Sequence, residues 1–216
     1  DRLALAERFV DHLATSGLER GLLGPRELPR IWSRHVLNCA VIADLIPAGT
    51  SVIDIGSGAG LPGLALAIVR PDLQITLVEP FERRSLWLAE VAQDLDVGVQ
   101  VVRARAEDLA GRRRAGLVTA RAVAPLPKLL RWGLPLVAAH GQLLAIKGRS
   151  ALHELEEAGP ALRRLGVQDA DVVTCGDGVL EPPTTVVRVR VAAGASARAA
   201  SPAGRARRAQ GERRRR

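Results

Sequence analysis

Apolar and polar positions change their period along this chain near residue 50. Before that point Leu3, Leu5, Phe9, Val10 and Leu13 recur among charged residues. This spacing predicts a short amphipathic helix over 3–14, stopped near Gly17. A second stripe runs through Leu28, Ile31, Trp32, Val36, Cys39, Ile42, Ala43 and Ile46. It follows the helical period and predicts a helix from Glu27 to Ile46, ended by Pro47. After residue 50, short β-branched runs alternate with helical patterns. Strands are predicted at Ser51–Ile55, Gln74–Glu79, Val99–Arg103, Leu117–Ala120, Gln142–Ile146, 168–174 and 184–192. Helices are predicted at Pro62–Val69, Glu82–Leu95, 126–138 and 150–165, with Pro62 at the first position of its helix.

Alternating strands and helices imply a parallel sheet covered on both faces. The last two strands are joined only by the loop Cys175–Pro183. That is too short for a parallel crossover, so this pair should be antiparallel. The chain thus divides into a small N-terminal helical extension (1–47), an α/β domain (48–193) and a tail (194–216). A mostly parallel seven-stranded, Rossmann-like sheet with an antiparallel last pair is the layout of class I methyltransferases.

Composition narrows the picture. The 216 residues are 47% hydrophobic and 25% charged, which excludes wholesale disorder. The two cysteines, Cys39 and Cys175, make neither a disulfide framework nor a metal-ligand spacing; the chain reads as cytoplasmic. No apolar run reaches the roughly 18 residues of a membrane span, and no signal peptide is read. The net charge of +8 is concentrated at one end: residues 194–216 hold eight arginines against Glu212. The tail offers almost nothing to bury and reads as disordered. It is either a basic arm that binds RNA phosphates non-specifically or a solvated run without a specific task. No large unexplained apolar surface is evident, which favours a monomer.

The most informative segment is Asp54-Ile55-Gly56-Ser57-Gly58-Ala59-Gly60-Leu61-Pro62-Gly63, between a predicted strand and a predicted helix. A dinucleotide site would want Gly-x-Gly-x-x-Gly, but that third position is Leu61 and the glycine comes early, at Gly60. The combination Asp-x-Gly-x-Gly-x-Gly resembles the first motif of class I methyltransferases that use S-adenosyl-L-methionine (SAM). Glu79 ends the next strand, so Asp54 and Glu79 are expected side by side at the carboxyl edge of the sheet. One carboxylate would accept ribose hydroxyls, and both suit a ligand with a sulfonium and an ammonium. The ligand's carboxylate would meet backbone N–H groups at the N-terminus of the following helix.

Further segments extend the pattern. They are Leu28-Pro29-Arg30-Ile31-Trp32-Ser33-Arg34-His35-Val36-Leu37-Asn38-Cys39, Arg105-Ala106-Glu107, Thr119-Ala120-Arg121-Ala122 and Leu144-Ala145-Ile146-Lys147-Gly148. Together with Asp54–Gly63 they resemble the RsmG family, also called glucose-inhibited division protein B, over about residues 18–190. The family comprises bacterial 16S rRNA methyltransferases that make 7-methylguanosine in the 530 loop. The resemblance implies that SAM is bound, and S-adenosyl-L-homocysteine released, by Asp54, Gly56, Ser57, Gly58, Gly60, Leu61, Gly63, Glu79, Ala106, Glu107 and Arg121. Gly56 and Leu61 would contact SAM at the loop, and Ala106 and Glu107 would frame the adenine. Arg121 would lie by the methyl donor. Two departures from the family pattern are Leu61, where phenylalanine is common, and Ala120, where serine is usual.

Guanine N7 carries a free lone pair in the neutral base. No proton needs removing, so neither a general base nor a metal is expected. Arg121 and Lys147, both after strand ends, are the residues expected to position the reaction. Arg30, Arg34, His35 and Asn38 are the candidates for RNA contact, with 16S rRNA or the 30S subunit as partner. His35 lies on an apolar stripe, and a buried, satisfied histidine is the plainer alternative. Arg112-Arg113-Arg114 is expected near Arg103 and Arg105, touching phosphate or merely solvated. Trp87 and Trp132 read as core. Two other readings stay open: a class I methyltransferase acting on another RNA, a protein or a small molecule, and a non-catalytic RNA-binding module.

Overall fold

A computed structural model describes residues 1–165 and 167–192; the Arg-rich tail lies outside the described residues. Seven strands form one sheet in the order β3-β2-β1-β4-β5-β7-β6. They are β1 (Ser51–Ile55), β2 (Gln74–Val78), β3 (Val99–Val102), β4 (Ala115–Arg121), β5 (Val137–Lys147), β6 (Val167–Cys175) and β7 (Thr184–Val191). The first five are parallel, and β7 runs antiparallel to both β5 and β6. The winding reverses between β1 and β4, which opens a crevice over the carboxyl ends of those two strands.

Alternate residues of each strand feed opposite faces. On one face Val52, Leu77, Leu117 and Leu144 pack with Phe9, Leu13, Ile31, Val36, Leu64 and Trp87. This layer comes from α1 (Arg2–His12), the segment around α2 (Asn38–Ala40), α3 (Gly63–Val69) and α4 (Glu82–Asp94). On the other face Ile53, Ile55, Val118 and Ala145 pack with Leu109, Leu126, Leu130 and Ala158. These come from α5 (Ala106–Leu109), α6 (Leu126–Gly133) and α7 (Ala151–Arg164). Burying one such aliphatic side chain contributes roughly 1.5–3 kcal/mol. The N-terminal extension is thus part of the core of one sheet face. Trp87 is fully buried there and donates to Ser16 Oγ at 2.9 Å.

Four elements differ from the sequence-based expectation. Residues 27–46 are helical but irregular: a 3₁₀ turn over Pro25–Arg30, a wide π turn over Ile31–Leu37, α2, and a 3₁₀ turn over Val41–Leu45. Pro29 has no N–H to give a regular α turn, and such wide turns gather at functional positions. Arg70 closes the end of this segment by donating to the carbonyls of Ala43 and Ile46. Pro62 caps α3, one place before its first helical residue. The helix after residue 126 ends at Gly133, and β5 already starts at Val137, pairing there with Ala115. Finally, α5 was not expected. Among the described residues no helix is long and apolar enough to cross a membrane.

Candidate active site

The crevice is built around two buried carboxylates. Asp54, fully buried in β1, accepts the Gly63 backbone N–H on Oδ2 at 3.1 Å. Its Oδ1 is buried with no hydrogen-bond partner among the described residues. Burial pushes the carboxyl up to about 7, against the pull of its hydrogen bonds. Glu79 is also buried; its two oxygens accept from the N–H groups of Gly58 and Phe81, each at 3.0 Å.

The expected side-by-side placement of Asp54 and Glu79 needs correction. Asp54 is in register with Leu77, so Glu79 stands two residues further along, just past the end of β2. The step follows from the loop folding back: the N–H groups of Gly56 and Ser57 both donate to the Val78 carbonyl. Glu79 can therefore reach under the glycine loop to Gly58.

The loop is also held by contacts of its own. Ser57 Oγ donates to the Asp54 carbonyl, and the Leu61 side chain is buried in the core. Gly60 has φ +76°, and a Cβ there would collide with Leu64. Two of the N–H groups at the start of α3 are already engaged within the protein. Gly63 N–H goes to Asp54, Leu64 N–H to the Gly60 carbonyl at 2.7 Å, and Pro62 has none.

Beside the loop lies a cleft of about 130 Å³ walled by Gly56, Val78, Pro80, Ala106, Glu107, Val123 and Trp132. Ala106 and Glu107, at the start of α5, both line this cleft. Trp132 was read as core from its helical spacing. It packs against the core from its edge and is also a half-buried wall of this cleft, with the Lys128 ammonium 4.8 Å from its ring centroid. Mostly apolar walls with one acid, Glu107, and one cation, Arg105, suit a flat heteroaromatic base with polar edges. A buried carboxylate oxygen without a partner and a carboxylate under a glycine loop suit a cationic nucleoside. The residues fit SAM.

Arg121 ends β4; Ile55 is in register with Ala120, so Arg121 stands beside Gly56. Its guanidinium reaches the His35 carbonyl at 3.3 Å, Cys39 Sγ at 3.1 Å and His35 Nδ1 at 2.6 Å. The setting of Arg121 thus comes from the N-terminal segment rather than from residue 120. Burial pushes the Cys39 thiol up to about 11, so sulfur stays protonated and acts as a weak acceptor. Lys147, the last residue of β5, is nearly buried. It donates to Glu154 Oε2 at 2.7 Å and to the Ala124 carbonyl at 2.8 Å. Glu154 also accepts the Leu126 N–H, so the pair fastens the loop after β4 onto α7.

The four RNA candidates divide. Arg30 and Arg34 are exposed and pair with Glu27 at 3.1 and 3.5 Å. For His35 the plainer alternative holds, and the half-buried Asn38 has its amide engaged within the fold. His35 is buried with both ring nitrogens engaged, and the Asn38 amide donates to Thr184 Oγ1 at 2.7 Å, tying α2 to β7. Arg112–Arg114 are also corrected. They precede the first residue of β4 and line a groove with Ser51, Gln74 and Gln100 at the amino ends of the strands, the opposite edge from Arg103 and Arg105.

Residues 2–182 match the family described as rRNA small subunit methyltransferase G. "Ribosomal RNA small subunit methyltransferase G" of Pseudarthrobacter chlorophenolicus is 59% identical over 88% of this chain and 89% of its own length. The protein of the same name from an Arthrobacter species is also 59% identical, with the same shares covered. The crystal structure of a methyltransferase from Pyrococcus furiosus superposes with a TM-score of 0.56. It is 12% identical and covers 70% of this chain and 80% of that one. That likeness is one of fold.

Proposed function

This chain belongs to the rRNA small subunit methyltransferase G family, and from that premise we propose that it transfers a methyl group from SAM to N7 of a guanosine in the 530 loop of 16S rRNA. The observation that carries the cofactor half of this reading is Asp54. It is a fully buried carboxylate with one bare oxygen, beside a base-sized cleft at the reversal point of the sheet. The substrate half rests on the family. The enzyme works in the cytoplasm, as a monomer and without a metal, on the 30S subunit or its rRNA.

SAM supplies an electrophilic methyl group on a sulfonium sulfur. Asp54 would face the cationic part of the cofactor, and Glu79 would accept ribose hydroxyls on the lone pairs that Gly58 and Phe81 leave open. Ala106, Glu107 and Trp132 would hold the adenine. Guanine N7 presents its lone pair in the plane of the base, so no side chain has to move a proton. The work of the protein is alignment, which is worth several kcal/mol when reacting atoms are held in line. Arg121 has donors to spare for a phosphate or a base edge. Lys147 does not touch the reacting atoms; with Glu154 it fixes the loop that follows Arg121. Arg30 and Arg34 meet phosphates from the outer face of their segment, and the tail adds non-specific attraction for RNA.

The test is transfer of labelled methyl from SAM into small subunits lacking the modification. Label in 16S rRNA supports the reading. Label only in ribosomal protein, or none while SAM binds, would leave a class I methyltransferase with another substrate.

A further inference from the structure

Arg121 belongs to β4, yet its partners lie 82 and 86 residues earlier in the chain. A guanidinium has only donors. The nitrogen it meets at 2.6 Å, His35 Nδ1, must therefore be the acceptor and carry no proton. The ring proton is then on Nε2, which donates to Glu27 Oε2 at 2.8 Å. His35 is 6% exposed, so water does not compete for either nitrogen. Burial holds the imidazole below its ordinary pKa. Glu27 opposes that shift, while Arg121 and Arg34 add to it. The ring is a neutral connector between a cation and an anion.

We propose that Glu27 and His35 are positioning residues for methyl transfer: Glu27 fixes the His35 ring as its Nε2–H tautomer, and that ring fixes the Arg121 guanidinium at the carboxyl end of β4. The bonds to the segment use three of the five guanidinium N–H groups. Because the group is planar, the remaining two then point in a set direction. Without Glu27 the ring is free to move its proton to Nδ1, where it would confront Arg121 donor to donor. Glu27 also pairs with Arg30 and Arg34, so one carboxylate joins the surface proposed to meet RNA to the residue beside the cofactor loop. The proposal rests on the role given above to Arg121.

Methyl-transfer kcat and KM are measured on small subunits lacking the modification for Glu27→Ala, Glu27→Gln, Arg121→Ala and the double variant Glu27→Ala/Arg121→Ala. The His35 ring of the wild-type protein is observed by ¹⁵N NMR at neutral pH. We expect Glu27→Ala to lower kcat about tenfold or more with KM for SAM nearly unchanged. Glu27→Gln, which keeps an acceptor for Nε2–H, should recover most of that loss. Glu27→Ala should cost nothing further once Arg121 is alanine. The NMR signals should show a neutral ring protonated on Nε2. A wild-type kcat in Glu27→Ala beside a crippled Arg121→Ala overturns the proposal, as do losses that multiply in the double variant. A ring protonated on Nδ1 overturns it even if the variants fail to fold. If Arg121→Ala itself keeps wild-type turnover, it is the role of Arg121 that fails.

Discussion

Asp54 and Gly63 are joined by a hydrogen bond of 3.1 Å that fastens the end of β1 to the first residue of α3. The bond satisfies one carboxylate oxygen and leaves the other bare, at full burial. The carboxyl is therefore poised near neutrality, about 7 against an ordinary 3.8. In that window the unfolded chain has lost its proton while the folded chain keeps it. Ligand-free protein should thus lose stability as pH rises from about 4 to about 7, by at most about 4 kcal/mol, and no further above that. His35 works in the other direction: its depressed pKa costs stability as pH falls below about 6.5. The difference between wild type and Asp54→Asn isolates the first effect. Urea titrations at pH 5 and pH 8 should show the asparagine variant without the alkaline loss, and with much weaker SAM binding.

Gly63 leaves no room for a side chain. A Cβ there would run into Leu77 Cδ2 and come within 2.8 Å of Asp54 Oδ2. Gly63→Ala should cost roughly 1–3 kcal/mol, by the usual penalty for overpacking. The urea midpoint should fall at unchanged m value, and affinity for S-adenosyl-L-homocysteine should fall with it as Asp54 is displaced.

The Lys147–Glu154 pair is nearly enclosed and also holds the Ala124 carbonyl and the Leu126 N–H. Burial raises the Glu154 pKa, but Lys147, the Leu126 N–H and Ser150 outweigh it and hold the carboxyl below its ordinary value. Its contribution is present above about pH 4.5 and lost as pH falls through the lowered value. Lys147→Met should cost roughly 2–3 kcal/mol, and Lys147→Met/Glu154→Gln less than the two single losses combined. Hydrogen exchange should accelerate over residues 122–126 in the single variant, with a lower kcat.

Trp132 forms one wall of the base-sized cleft. Trp132→Ala should weaken S-adenosyl-L-homocysteine binding by about tenfold, the scale of a lost aromatic contact of about 1.4 kcal/mol. Calorimetric titration checks this; an unchanged Kd would place the adenine elsewhere.

The sheet and the loop were legible because their signals are local. Asp54, three glycines and Glu79 sit within one βαβ unit, and the alternation of β-branched and helical runs spells out its order. The irregular segment over Pro25–Leu45 was only half legible. Its apolar stripe is real, and Ile31, Val36, Cys39 and Ile42 are all buried. The stripe does not reveal the wide turn that carries His35 inward. Nor could spacing pair His35 with Arg121, which folding brings together from 86 residues apart. Glu27 was missed for the same reason: eight residues before His35, it looks like one more surface charge. Trp132 was half legible: it packs against the core, but a helical stripe tells which side is turned inward, not whether that side also meets a cleft.

Methyl transfer to N7 of one guanosine is the reaction proposed for this chain. The most direct measurement incubates the protein with SAM and small subunits lacking the modification, then cleaves the 16S rRNA chemically at 7-methylguanosine. Methylation at N7 predicts a single new cleavage site in the 530 loop, absent without SAM and strongly reduced with Arg121→Ala. Methyl groups incorporated into the RNA without cleavage at a 530-loop guanosine would contradict it.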